Sequence, residues 1–225
     1  MARVKTLKAS SLREQAGQAI RASIITGELA AGEIYSATML AGRLGVSPTP
    51  VREAMLDLAS TGLVEPVRNR GFRVVTPDER DLDEISELRL MLEVPAARMV
   101  AERATDAQLS GLERLVGDIE VAAESGDLAG FLAADRDFHM ALVELAGNRR
   151  LVRLISQLRD QTVLVGLKAL AESNRLARFA QEHRDLLVAL QERTADRAET
   201  LMRSHLEHTR GIWAGVDEPA TSNVR

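Results

Sequence analysis

The run Leu40-Ala-Gly-Arg-Leu-Gly-Val-Ser-Pro-Thr-Pro-Val-Arg-Glu-Ala-Met55 decides the reading of this chain. Two helical segments meet at Gly45-Val46-Ser47. Thr38 can cap the first, which runs to Leu44, and Gly45 ends it. Ser47 can cap the second, which runs to about Ser60. Pro48 and Pro50 fall in its first turn, where backbone N–H groups have no intrahelical partner, so neither proline costs a bond. Upstream, Leu12–Thr26 repeats Leu12, Ala16, Ala19, Ile20 and Ile24 at helical spacing until Gly27–Gly32 breaks it. Downstream, Gly62 closes the second segment. Leu63–Val67 and Phe72–Val75 then flank the polar turn Arg68-Asn69-Arg70-Gly71 and read as a hairpin. Three helices and a hairpin make a winged helix-turn-helix.

Such a head suits duplex DNA. The third helix presents its first turn to the major groove, with Thr49 and Arg52 placed for base or phosphate contacts. Its other face offers Val51, Met55, Leu56 and Leu58 to the first two helices. The hairpin tip gathers Arg68, Arg70 and Arg73 around Gly71, a residue that can turn tightly and let the backbone approach a phosphate. Charge agrees. Residues 1–76 carry a net of +4 and the remainder −8, within a chain total of −4. A basic head on an acidic body fits a nucleic-acid reader with a second module, because phosphates feel the local field.

Composition bounds the rest. At 225 residues the chain has room for one or two domains. Aromatic residues make up only 3% while Ala, Leu, Arg and Glu abound, which favours a mainly α protein over a β-sandwich or barrel. With no cysteine, disulfides, thiolate metal sites and thiol nucleophiles are excluded. Apolar runs such as Thr162–Leu167 fall far short of the ~20 residues of a membrane helix. The start, Met1–Arg13, is basic without the apolar segment of a secretion signal. The expectation is a cytoplasmic protein that does not enter a membrane.

From Leu82 to Trp213 the periodicity is helical throughout. Breaks near Thr105-Asp106, Ser125-Gly126, Gly147-Asn148, Ser173-Asn174 and Thr194–Asp196 give six or seven helices. Before them, Thr76 or Asp78 can cap the first. The expected domains are 1–76, 77–214 and a flexible tail, 215–225.

All four histidines fall in this body. Asp135 and His139 share one helix face at i,i+4, together with Leu132, Leu142 and Val143. His183 lies on a stripe with Phe179, Leu186, Leu187 and Leu190, and His205 between Leu201 and Leu206. An acid and several imidazoles on the apolar stripes of three helices are costly to bury unpaired, and one shared cation solves that problem. Asp135, His139, His183 and His205 suit Zn²⁺, Ni²⁺ or another borderline divalent ion. His208, one turn from His205, either substitutes for it or faces water.

Two resemblances follow from these residues. Leu40–Met55, Leu58 with Gly62-Leu63-Val64, and Arg70-Gly-Phe-Arg-Val74 resemble the GntR family of bacterial transcription regulators over about residues 12–75. That resemblance implies DNA contacts at Thr49, Arg52 and Gly71, and Arg43 as a further phosphate ligand. The chain departs from the family at Pro48, where arginine is common. The body resembles the FCD sensor domain of the FadR branch over about 80–212, through Asp135-x-x-x-His139 with Ala146-Gly-Asn148, Glu182–Leu187 and Met202–Leu206. It implies a metal site with coordination positions left open for a small organic acid. It also implies Arg89, in an Arg-x-x-x-Glu element, as the carboxylate's partner. An i,i+4 pair between Arg89 and Glu93 is the plainer reading of that arginine, and a helix cap that of Asn148.

The chain therefore reads as a homodimeric, metal-containing regulator, of repressor type, on an inverted-repeat operator, and not as an enzyme. The rivals are a metal-free regulator holding an apolar or acyl ligand, and an all-α metalloenzyme with Glu144 or Glu182 as its base. A helical dimer-forming interaction module is a third.

Overall fold

The computed structural model describes residues 11–173 and 175–213, with their side chains except those of residues 25 and 163–173. The tail expected at 215–225 lies outside the described residues. Among those residues the protein is mainly helical, with one small sheet, and no helix is long and apolar enough to cross a membrane. The chain separates into two compact units, Met1–Thr76 and Pro77–Arg225.

The head contains α1 (Leu12–Ile25), β1 (Ile34–Tyr35), α2 (Ala37–Leu44), α3 (Pro48–Ser60), β2 (Val64–Val67) and β3 (Gly71–Val74). Its core joins Ile20 and Ile24 of α1, Leu40 of α2, Val51, Met55 and Leu58 of α3, and Val64, Phe72 and Val74 of the hairpin. Leu56 departs from the sequence reading. It is 50% exposed, and Ala54 occupies the packed position instead.

The caps differ too. Ser36, not Thr38, starts α2, and its Oγ accepts from Met39 N at 3.1 Å. Ser47 is the N-cap of α3 but makes no side-chain cap bond. Pro50 occupies the third helical position, so one of the two N–H groups such a cap can use does not exist.

The sheet has strand order β1-β3-β2, both pairs antiparallel. The two-residue β1 has no signature of its own in sequence and is defined by its pairing, Ile34 with Arg73 and Tyr35 with Phe72. At the hairpin tip the left-handed residue is Asn69 (φ 61°). Gly71 (φ 133°) opens β3, and a Cβ there would collide with the Tyr35 carbonyl. Glycine at 71 thus lets β3 lie against β1, a different reason from the tight turn expected of it.

The body contains α4 (Glu79–Arg103), α5 (Asp106–Ser125), α6 (Leu128–Leu145), α7 (Arg149–Ser173), α8 (Leu176–Gln191) and α9 (Ala195–Trp213). Short-range chemistry sets the boundaries. Asp78 with Asp81, and Thr105 with Gln108, form reciprocal capping boxes at the starts of α4 and α5. Gly126 in the left-handed conformation ends α5. Asn148 Oδ1 accepts from Arg150 N and Leu151 N at the start of α7, the cap reading of that residue. α4 packs on α9, α5 on α6 and α8, α6 on α7, and α8 on α9. Leu109, Leu112, Val116 and Ile119 of α5, Phe131, Phe138 and Leu142 of α6, and Leu186, Leu187 and Leu190 of α8 fill the space between them.

Candidate metal centre and nucleic-acid interface

In the head, Arg52 of α3 and Arg68 and Arg70 of the hairpin turn line a groove of about 520 Å³ together with Thr38 and Gly71. Thr49 and Arg43 are exposed but do not line it. Asp57, five residues after Arg52 on α3, binds Arg13 of α1. Among the described residues, Arg43, Arg52, Arg68 and Arg70 are held in no ion pair, and all four are exposed. Arg73 differs from its neighbours: Glu65, opposite it across β2 and β3, takes its guanidinium at 2.6 Å. The head therefore shows four uncommitted guanidiniums to solvent.

In the body, Asp135 and His139 project from one face of α6, His183 from α8 and His205 from α9. One ligand atom from each lies within 4.8 Å of all the others, and the three histidines are buried. His139 Nε2 is 3.1 Å from His205 Nε2. Asp135 Oδ1 is 3.1 Å from His183 Nε2 and 3.7 Å from His139 Nε2.

The outer nitrogens explain the aim of the rings. His183 Nδ1 lies 2.7 Å from the Phe179 carbonyl and His205 Nδ1 3.0 Å from Glu182 Oε2. His139 Nδ1 lies 3.0 Å from Glu93 Oε2, off the direction of a straight hydrogen bond. Each outer nitrogen faces an acceptor and so carries the ring proton, which leaves three Nε2 lone pairs and a carboxylate oxygen pointing at one spot. Phe138, fully buried, packs edge-on against the rings of His139 and His183.

These residues fit a divalent ion. His183 Nε2 is buried without a hydrogen-bond partner, although Asp135 is near, because both aim at a common point rather than at each other. Metal–ligand bonds of about 2.0–2.1 Å put neighbouring ligand atoms roughly 3.0–3.4 Å apart, a range that holds the 3.1 Å spacings of His139 with His205 and of His183 with Asp135, while the set as a whole spans up to 4.8 Å. Two nitrogen lone pairs 3.1 Å apart, with both ring protons committed elsewhere, repel until a cation sits between them.

Electrostatics keep the ligands in their binding forms. Burial, followed by the charge of Arg159, pushes His139 well below its usual range, against the pull of Asp135 and Glu93. Burial, then neighbouring His183, lowers His205. Burial works against ionised Asp135, but His139, His183 and Arg159 outweigh it and hold the carboxyl well below its ordinary value. Glu93 is likewise held ionised against burial, by Arg159 and Arg89.

Arg159 is the principal residue that sequence reading missed. From α7 it donates to Glu93 Oε2 at 2.7 Å and Asp135 Oδ2 at 3.0 Å, so it bridges the ligand carboxylate and the carboxylate behind the cluster. Its partners stand 66 and 24 residues away, and no short spacing signals them. Arg89 adopts the pair weighed in sequence, Nε to Glu93 Oε1 at 2.7 Å, and also faces the cavity beside Trp213.

That cavity adjoins the cluster. Asp135 and His205 form part of its wall, with Arg89, Arg136 and Arg159 supplying charge and residues such as Phe131 and Trp213 the apolar surface. Its volume is about 60 Å³, where one water needs ~10–15 Å³ on the same measure. A small acid fits. His208 stands apart from the four ligands: its Nδ1 lies 2.7 Å from Glu182 Oε1. Glu182, weighed as a catalytic base, is thereby occupied by two imidazoles. Glu144 lines a separate surface depression with Asn148 and Arg149.

The model of the bacterial regulatory proteins of the gntR family matches residues 12–74, and that of the FCD domain residues 84–208. The HTH-type transcriptional regulator YdhC of Bacillus subtilis (strain 168) is 32% identical over 142 residues, 63% of this chain and 63% of that protein. The HTH-type transcriptional regulator McbR of Escherichia coli (strain K12) is 32% identical over 152 residues, 68% of this chain and 69% of that protein. The solved structure of E. coli McbR/YncC superposes with a TM-score of 0.83 at 27% identity, covering 92% of this chain and 99% of that one.

Proposed function

The chain belongs to the GntR family of bacterial regulatory proteins and carries an FCD domain, and from that premise we propose a homodimeric, cytoplasmic repressor whose hold on an inverted-repeat operator is set by a small organic acid bound beside a divalent metal ion. The family is one of transcription regulators, not of enzymes. The observation that carries the sensing half is the convergence of Asp135, His139, His183 and His205 on one point in the wall of an arginine-lined cavity.

Arg52 meets base edges or phosphates from the recognition helix, Arg43 and Thr49 add contacts from α2 and α3, and Arg68 and Arg70 follow the backbone around Gly71. Two such heads related by a two-fold axis read a pseudo-palindrome. Leu88 and Met91 of α4 and Leu154 of α7 are large apolar side chains at 46%, 60% and 49% exposure on adjoining helices, and they supply a face for a second copy.

In the body, Asp135, His139, His183 and His205 hold the ion, zinc or nickel by the chemistry of the donor set. The ion, when bound, supplies positive charge and vacant coordination positions for a carboxylate. Around the cavity Arg89, Arg136 and Arg159 meet Glu93, Asp135 and Asp160, so the side chains balance before the ion is counted. Its two charges favour an anionic guest, a dianion above all. Phe131 and Trp213 exclude water from the guest's carbon frame. The guest acts on the operator only if it binds two arrangements of the protein with different affinities. A metal-free cavity for a large acyl ligand has less support, given three guanidiniums and a small volume.

Thermal unfolding of the full chain with mono- and dicarboxylates, with and without a chelator, tests the reading. A ligand at 100 times its Kd raises stability by ~2.7 kcal/mol. The account expects that gain to vanish with chelator and in His183→Ala. A gain that persists in both would show that acid and ion do not share a site.

A further inference from the structure

We propose that Glu182 is a positioning residue of the metal centre, a single carboxylate that fixes the tautomer and aim of His205 and is itself braced by His208 and Arg178. The inference rests on the metal-binding reading above and extends it to a residue that touches no ion.

Glu182 follows Gln181 and precedes the ligand His183 on α8, yet it reaches across to α9. Its Oε2 lies 3.0 Å from His205 Nδ1 and its Oε1 2.7 Å from His208 Nδ1. A carboxylate can only accept, so both Nδ1 atoms must donate. For neutral His205 that leaves Nε2 as a bare lone pair, and Nε2 is the atom 3.1 Å from His139 Nε2 in the cluster. Were the proton on Nε2 instead, His205 would turn an N–H toward the ion and a lone pair toward the carboxylate.

The outer half of the network agrees. A terminal nitrogen of Arg178 lies 3.2 Å from His208 Nε2 and 3.4 Å from its Nδ1, beside both ring nitrogens rather than in line with one of them. Arg178 Nε also stands 3.4 Å from Glu182 Oε1. Arg178 and the two imidazole Nδ1 atoms thus surround the Glu182 carboxylate with donors. Glu182 is largely buried, at 18% side-chain exposure, so its placement is not that of a freely swinging surface acid. His208 is therefore neither a spare ligand nor an idle surface ring.

The closing experiment measures Zn²⁺ affinity by chelator competition on the full chain and on Glu182→Ala, Glu182→Gln, His208→Ala and His205→Ala. The electronic spectrum of the Co²⁺-substituted protein and the unfolding midpoint of the metal-free protein accompany it. Glu182→Ala should weaken zinc by about 10–100-fold, the usual effect of losing an outer partner of a ligating histidine, and shift the cobalt bands. His208→Ala should act in the same direction by less. Glu182→Gln keeps an acceptor oxygen for His205 and should recover part of the affinity, a rescue that a merely structural role does not produce. It also carries the test if the alanine variant does not fold. Loss of zinc in His205→Ala with Glu182→Ala and Glu182→Gln both within twofold of the parent overturns the positioning role and leaves the metal centre standing. Zinc affinity unchanged in all variants, His205→Ala included, overturns both.

Discussion

The two halves of this protein treat charge in opposite ways. In the head, Arg43, Arg52, Arg68 and Arg70 are exposed and uncommitted, so their functional capacity lies in what they have not yet met. In the body, Arg89, Arg159, Glu93 and three imidazoles are buried and tied to one another. A reader of phosphates has to keep its cations hydrated and available until DNA replaces the water. A sensor built around an ion has to hold its lone pairs in place beforehand, and that demands outer partners.

The largest expected effect breaks the body alone. Arg159→Ala removes the buried cation shared by Glu93 and Asp135, leaving Glu93 to Arg89 alone, and should destabilise the metal-free protein by about 3–5 kcal/mol, read by urea unfolding followed at Trp213, the sole tryptophan. Arg13→Ala removes the exposed pair with Asp57 in the head and should leave that transition unmoved. A body no more sensitive than the head would mean that the buried network is not what holds it.

Operator binding gives the converse. Arg52→Ala should cost about 1–3 kcal/mol on an operator selected from a random duplex pool with the parent protein and relax preference at one position, with zinc content unchanged. Arg68→Ala and Arg70→Ala should weaken binding nearly uniformly across sequences and lower the salt slope by about 1 each. Unchanged slopes would remove the hairpin from the interface.

Acid should separate the halves next. Every histidine lies beyond residue 76. In the folded body His139 and His205 sit below their ordinary 6.5, while an unfolded chain takes up protons near that value. Stability is therefore lost as pH falls below about 6.5, until the folded pKa values are reached. The depressed carboxyls Glu93 and Asp135 add their loss only below 4.5 and 3.8. In the head, Asp57 contributes nothing until pH falls below its ordinary 3.8. Hydrogen exchange of the metal-free protein should show the body loosening between pH 6.5 and 4.5 while the head does not. Equal loosening of both contradicts the assignment of these buried groups.

What sequence made legible follows the same divide. The helix-turn-helix is local, written in caps and glycines a few residues apart, and so were the helix breaks of the body. Errors in the head were local as well: Leu56 fits helical periodicity yet faces solvent, and β1 is too short to leave a signal. In the body, Asp135 and His139 announce themselves at i,i+4. Glu93 shows only its i,i+4 pair with Arg89, and the contacts that tie Arg159 and Glu182 to the cluster join residues 23 to 66 positions apart through packing alone. His208 shows the same limit, since one turn from His205 it is equivalent by spacing and different by contact.

Metal content settles the central claim most directly. Protein purified without a histidine tag, replenished with zinc and washed, should retain about one ion per chain, as a site with four protein ligands does, and His183→Ala should retain almost none. Under about 0.2 ions per parent chain, against that same four-ligand expectation, would contradict the account.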